Sequence, residues 1–182
     1  MNPSKSNDAN PEKPDFCSYP VDQAMSIIRT IAEHRWPMTV DEAFSLRDQF
    51  GWTPAPDDGR FFVTPVSNGE EDGTISIDRE NRIYISGIRF KLTSQFPKNA
   101  DPNTQSEMRS IYSSYVESLT MRYGTGEARS SSDVDGVLWH LPSRASIDIG
   151  ATHRSISIAI ESPALTNLTE AEENYFAEGG EL

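Results

Sequence analysis

Cysteine is almost missing from the 182 residues; the chain holds one, Cys17. A lone cysteine closes no intrachain disulfide, which excludes a disulfide-stapled secreted scaffold. Positive charge is scarce as well, with 16 Lys and Arg against 28 Asp and Glu and a net charge of -12. That excludes a general nucleic-acid coating protein, which needs a basic surface to displace counterions. No apolar run approaches the roughly 20 residues of a membrane helix, and no basic segment followed by an apolar core opens the chain. These absences leave a soluble, cytoplasmic protein of one domain, by the rule of about 100–200 residues per domain.

Hydrophobic residues are 36% of the chain, low against an ordinary apolar share of about 45–50%. The shortfall sits at the ends. Residues 1–18 place Pro3, Pro11 and Pro14 among Asn, Ser and Lys, and such a segment is expected to be a disordered arm. Residues 162–182 carry five Glu and no Lys or Arg, and are expected to be an acidic disordered tail. The charge is -1 on the arm, -5 on the tail and -6 on the domain 19–161.

Within that domain, Ala24, Ile27, Ile28 and Ile31 follow the spacing of one helix face, which predicts a helix near 20–34. Thr39 and Glu42 have capping-box spacing, and Gly51 suits a left-handed helix stop, so a second helix is expected over 40–50. Phe61 to Val66, then Ile75 and Ile77, then Ile83 to Leu92 read as three strands. The alternation of the third changes phase at Gly87, which predicts a β-bulge there. Thr104 and Glu107 suggest a capping box for a long helix over 105–123, stopped by Gly124. Val137 to Trp139, Ala145 to Ile149 and Ile156 to Ile160 read as three more strands.

The order is therefore α-α-βββ-α-βββ, an α+β fold. Six antiparallel strands would pack helices on one face and show a polar face to water. The segment Gly59-Arg60-Phe61-Phe62-Val63-Thr64-Pro65 resembles Gly136-Val137-Leu138-Trp139-His140-Leu141-Pro142. Each is preceded by a Gly-stopped helix, which allows an internal αβββ duplication. The plainer reading is that any helix-to-meander unit needs a glycine stop and β-forming residues.

Trp36-Pro37-Met38-Thr39, leading into a helix that ends Phe50-Gly51-Trp52, resembles an uncharacterised actinobacterial family, domain-of-unknown-function family 6301. So does the ending Trp139, Leu141-Pro142, Ile147, Ile149, Ile156, Ile158, Ile160 before Ser162-Pro163. The resemblance covers roughly 20–163 and implies no activity. In size and style the chain is similar to immunity or chaperone partners encoded beside secreted toxins. Its element order is similar to that of small secretion chaperones. Fold alone does not fix function.

Chemistry-bearing motifs are few. His34, His140 and His153 lack metal-ligand spacing, and Cys17 lies apart from them, so no metal or other cofactor is expected. Asp133-Val134-Asp135-Gly136 follows a serine run and precedes its strand, the reverse of what an aspartyl nucleophile needs. Gly124-Thr125-Gly126 follows a helix and so cradles no phosphate. The remaining feature is acidity in two loops, Asp57 and Asp58, then Glu70, Glu71 and Asp72. These five are the candidate partner-binding residues, as a surface that steers a basic protein. Solvated turns are the plainer reading.

The expectation is a non-catalytic protein-binding module, an immunity protein or secretion-chaperone-like partner of a basic protein, with no nucleic-acid or membrane partner. The alternatives are an enzyme with an unrecognised site drawn from groups such as Arg89, Asp148 and His153, or a structural subunit that self-associates through a strand edge.

Overall fold

The computed structural model describes residues 16–181. Helix α1 spans Val21–Ala32 and buries Ala24, Ile27, Ile28 and Ile31, the face their spacing predicts. Helix α2 spans Val40–Gln49 and opens with the expected capping box. Glu42 N–H donates to Thr39 Oγ1 at 3.2 Å, and Thr39 N–H donates to Glu42 Oε2 at 2.8 Å. Gly51, at φ +73, turns the chain out of it. Helix α3, Pro102–Tyr123, starts earlier than expected. Its cap is Asp101 and not Thr104: Thr104 N–H donates to Asp101 Oδ1 at 2.8 Å. Pro102 fits the first turn because its missing N–H would have had no helical partner there.

Among the described residues the sheet has eight strands where six were expected. They are β1 (Thr53–Pro54), β2 (Phe61–Val63), β3 (Gly73–Ile77), β4 (Ile85–Lys91), β5 (Glu127–Ala128), β6 (Asp135–His140), β7 (Ser146–Ala151) and β8 (Ile156–Glu161). Their order is β1-β2-β3-β4-β8-β7-β6-β5, and every neighbouring pair is antiparallel. The two additional strands, β1 and β5, are two residues long, too short to show alternation. The expected bulge lies beside Gly87: the register passes from Ser76–Gly87 to Ile77–Ile85, leaving Ser86 as the extra residue. With that residue absorbed, Ile85, Ile88, Phe90 and Leu92 are all buried.

Each half is now a helix and four strands, and the halves repeat in register. Phe61 opposes Thr74 as Leu138 opposes Asp148, and Phe62 opposes Gly73 as Trp139 opposes Ile147. Ile75 opposes Ile88 as Ile149 opposes Ile158. The halves meet at the β4–β8 ladder, whose middle pair is Arg89 and Ala159. A pseudo-twofold axis therefore passes between those two residues.

Helices α1 and α3 cover one face, where Ile28, Ile31, Tyr115 and Leu119 join Ile158 and Ile160 in the core. Residues 16–18 are part of this body, and not of a disordered arm; the rest of the arm, 1–15, lies outside the described residues. The Phe16 ring stacks on Phe96 with centroids 4.0 Å apart, and Ser18 bridges to Thr93. Tyr115 Oη donates to Tyr19 O at 2.6 Å, which anchors the segment from below.

The expected acidic tail is mostly helix: α4 spans Pro163–Ala177. Ser162 Oγ caps it by accepting from Leu165 N–H at 3.1 Å, and Pro163 occupies its first turn. It lies against the opposite face of the sheet, over Leu138, Ser146 and Glu161. Helices thus occupy both faces, where one was expected. The tail's composition argued for disorder because it counted unbalanced Glu; two of those Glu find cations on the sheet.

Candidate functional site

Those ion pairs define how α4 sits. Glu170 receives His140 Nδ1 at 2.8 Å and a close contact from the Arg144 guanidinium. The Arg144 guanidinium holds the Glu170 carboxyl below its usual range, with His140 adding to the effect. Arg144 also donates to Asn167 Oδ1 at 3.0 Å, and Arg129 Nη2 lies 3.5 Å from Glu173 Oε1. Thr166 is the only α4 side chain with its residue fully buried. Ion pairs to Glu170 and Glu173 thus tie one side of the helix to the sheet, and the helix divides the outer face into two sides.

On the β7 side of α4 lies a polar cluster. Asp148 and Glu161 are half-buried, and burial pushes both carboxyls above their usual range; the nearby Asp148 charge adds to the rise at Glu161. Arg89 and Arg129 act in the opposite direction on both. Arg89 and Asp148 line one depression of about 310 Å³. His153 does not join them. It lines a separate depression with Tyr112, Asp133 and Asp135. The three groups of the enzyme alternative are thus divided between two places.

On the β3 side lies a groove of about 640 Å³. Its apolar walls are Phe61 from β2 and Leu165 and Leu168 from α4, and the β3 segment Ser76–Asp78 runs along it. Phe61 is 41% exposed and Leu168 55%. Beyond the groove on α4, Tyr175 and Phe176 pack edge to face and are also exposed. Leu165, Leu168, Tyr175 and Phe176 fall at helical spacing on one side of α4. The rim carries Asp78, Glu80 and Glu172 against Arg60 and Arg79. Asp58 holds Arg60 through Nε at 2.9 Å, and that guanidinium in turn lowers the Asp58 carboxyl to about 2. A larger depression, about 760 Å³, runs along α1, but Asp22, Arg29, Glu33 and other polar groups line it on an open surface. An apolar floor with a few polar groups at the rim is the better binding geometry.

The five acidic candidates sit in two loops, one at each end of β2. Asp57 and Asp58 precede β2, and Glu70, Glu71 and Asp72 follow its far end. Asp58 is held by Arg60. Lys91 Nζ sits 3.0 Å from Asp72 and 3.9 Å from Glu70. Asp57 and Glu71 have no ion-pair partner among the described residues. His34 lies by Glu42, with Nε2 3.6 Å from Oε1. Sequence reasoning missed Leu165 and Leu168 because it took 162–182 as a tail. The pair Ser162-Pro163, a cap followed by a first-turn proline, was the signal.

Taken together, the molecule is an α+β protein with a pseudo-symmetric antiparallel sheet, helices on both faces and an apolar groove. Residues 22–162 match the sequence profile of a family of unknown function, DUF6301, and the chain belongs to that family. No curated protein and no solved structure matches it. Among the described residues no helix is long and apolar enough to cross a membrane, and no group of three or more His, Cys, Asp or Glu is placed to hold a metal ion.

Proposed function

We propose that the chain is a non-catalytic protein-binding module that docks a basic partner in the groove between β3 and α4. The observation that carries this reading is the pair Phe61 and Leu168, two large exposed apolar side chains lining one groove under an acid-rich rim. Apolar anchors in a pocket supply most of the energy of an interface, while charge around them sets association rate and partner choice. The net charge of -12 favours a basic partner. An immunity protein or a secretion chaperone acting in the reducing cytoplasm is the concrete form.

Affinity capture with the full chain from its native host tests this. One basic protein should be recovered in stoichiometric amount, and Leu168→Glu should lose it while Asp57→Asn retains it. Recovery of no stoichiometric partner, or equal recovery by Leu168→Glu, would overturn the proposal. With His153 apart from Arg89 and Asp148, an enzyme reading would have to rest on a different set, Asp148 and Glu161 beside Arg89 and Arg129, half-buried carboxyls near guanidiniums of the kind that clusters at active sites. Retention of the partner by every groove variant and loss of it by Asp148→Asn would favour that cluster instead.

A further inference from the structure

The two halves of the sheet differ at one place. In the second half, β6 pairs with all six residues of β7, from Ser146 to Ala151. In the first half, β2 pairs with β3 only at Gly73 and Thr74. One further bond follows, Ile75 N–H to Arg60 O at 2.8 Å. The chain then leaves, because Arg60 turns its own N–H to Asp58 Oδ1 at 3.0 Å. Ile75 N–H points toward β2, and Asp78 N–H donates to Tyr84 O on the β4 side at 3.0 Å. Backbone groups alternate sides along a strand, so the Ile77 N–H and C=O point to the β2 side. No strand lies there among the described residues. By the pseudo-twofold axis, the vacant stretch corresponds to what Asp135 and Gly136 supply opposite Ala151 and Gly150.

This open edge borders the groove: Ser76, Ile77 and Asp78 line it together with Phe61, Leu165 and Leu168. An unpaired edge beside an apolar trough has the features of strand-addition sites, where main-chain bonds give affinity and alternate side chains give specificity. We infer that the partner enters as an extended segment that adds to β3 at Ser76–Asp78, in line with β2. Its apolar side chains rest between Phe61 and Leu168. Its intervening side chains are basic, because the rim holds three carboxylates to two guanidiniums, one of them already held by Asp58. This deepens the proposed function and rests on the same groove.

The probe is a synthetic peptide alternating Ile and Lys, with blocked ends, titrated into the full chain by calorimetry and followed by amide hydrogen exchange. Binding should slow exchange at Ile77, and methylating alternate backbone nitrogens of the peptide should weaken it tenfold or more. Ile77→Pro removes the N–H on the open side, a tolerated change at an edge, and should weaken binding similarly. No binding at about 1 mM peptide, or equal binding by the methylated peptide, would overturn the inference. So would a dimer that protects Ile77 without peptide, since a second copy would then be the occupant. If Ile77→Pro still captures the host partner and Leu168→Glu does not, the groove binds by another geometry. If neither matters, the groove proposal itself fails.

Discussion

Gly73 is the residue whose replacement tests the packing of the first half most directly. A Cβ there would lie 2.1 Å from Phe62 Cε2 and 2.3 Å from Cδ2. Its φ is not left-handed, so alanine is acceptable to the backbone and only the ring objects. Phe62 is fully buried and stacks on Trp52, with centroids 4.6 Å apart and planes 3° from parallel. The ring can yield only by disturbing that stack. Overpacking costs about 1–3 kcal/mol, and a disturbed aromatic pair about 0.5–1.5 kcal/mol more. The lower unfolded-state entropy of alanine offsets about 0.4–1 kcal/mol. Gly73→Ala should therefore destabilise by about 2 kcal/mol. Phe62→Leu removes the ring atoms that clash, at a cost of its own from lost volume and stacking. In the double variant the two penalties should fall short of their sum by about 1 kcal/mol or more. Urea unfolding followed by tryptophan fluorescence reads the cycle, since Trp52 reports on the same contact. Additive penalties would refute the reasoning, because Gly73 would then not be there to admit the ring.

Three further outcomes are expected. Ser162→Ala should cost about 0.5–2 kcal/mol and raise amide exchange across 163–177 while leaving the sheet unchanged; unchanged exchange there would mean that the cap does not hold α4. Tyr115→Phe should cost about 1–3 kcal/mol and release residues 16–19, seen as proteolysis at Tyr19, because the Tyr19 carbonyl loses its buried donor. Asp148→Asn should stabilise the protein at neutral pH. Burial raises the folded-state pKa of Asp148 above its unfolded value, so ionisation costs stability as pH rises through that window, and the gain should vanish in acid below the ordinary carboxyl range. Destabilisation by Asp148→Asn in urea at neutral pH would show that its attraction to Arg129 and Arg89 outweighs burial.

Much of the fold was legible because its signals are local. Ile27, Ile28 and Ile31 mark α1, Thr39 and Glu42 mark the start of α2, and the phase change beside Gly87 marks the bulge. The similarity of Gly59–Pro65 to Gly136–Pro142 holds in three dimensions at Phe61 and Phe62, which pair with β3 as Leu138 and Trp139 pair with β7. What was not legible depends on contacts made far along the chain. The start of α3 was misread because Thr104 and Glu107 have capping-box spacing, yet Asp101 and Pro102 take the roles. Helix α4 was missed because its Glu170 and Glu173 are balanced by Arg144, His140 and Arg129, residues distant in sequence. The groove has no motif at all; it arises where β2 leaves the sheet early and α4 crosses the other side. The five acids were legible as loops, but not that Arg60 and Lys91 would hold three of them.

The pseudo-twofold axis between Arg89 and Ala159 has a kinetic consequence. Seven ladders hold the sheet, and all but β4–β8 join strands that follow one another in the chain. Each half can zip up through hairpins, whose formation takes microseconds. The β4–β8 ladder must bring residues 87–91 to 157–161, closing a long loop before any bond rewards it. Docking of the halves along that seam should be the last and slowest step of folding. Pulsed hydrogen exchange should then protect Ile75 and Ile149 before Phe90 and Ile158; simultaneous protection of all four would rule out such a sequence.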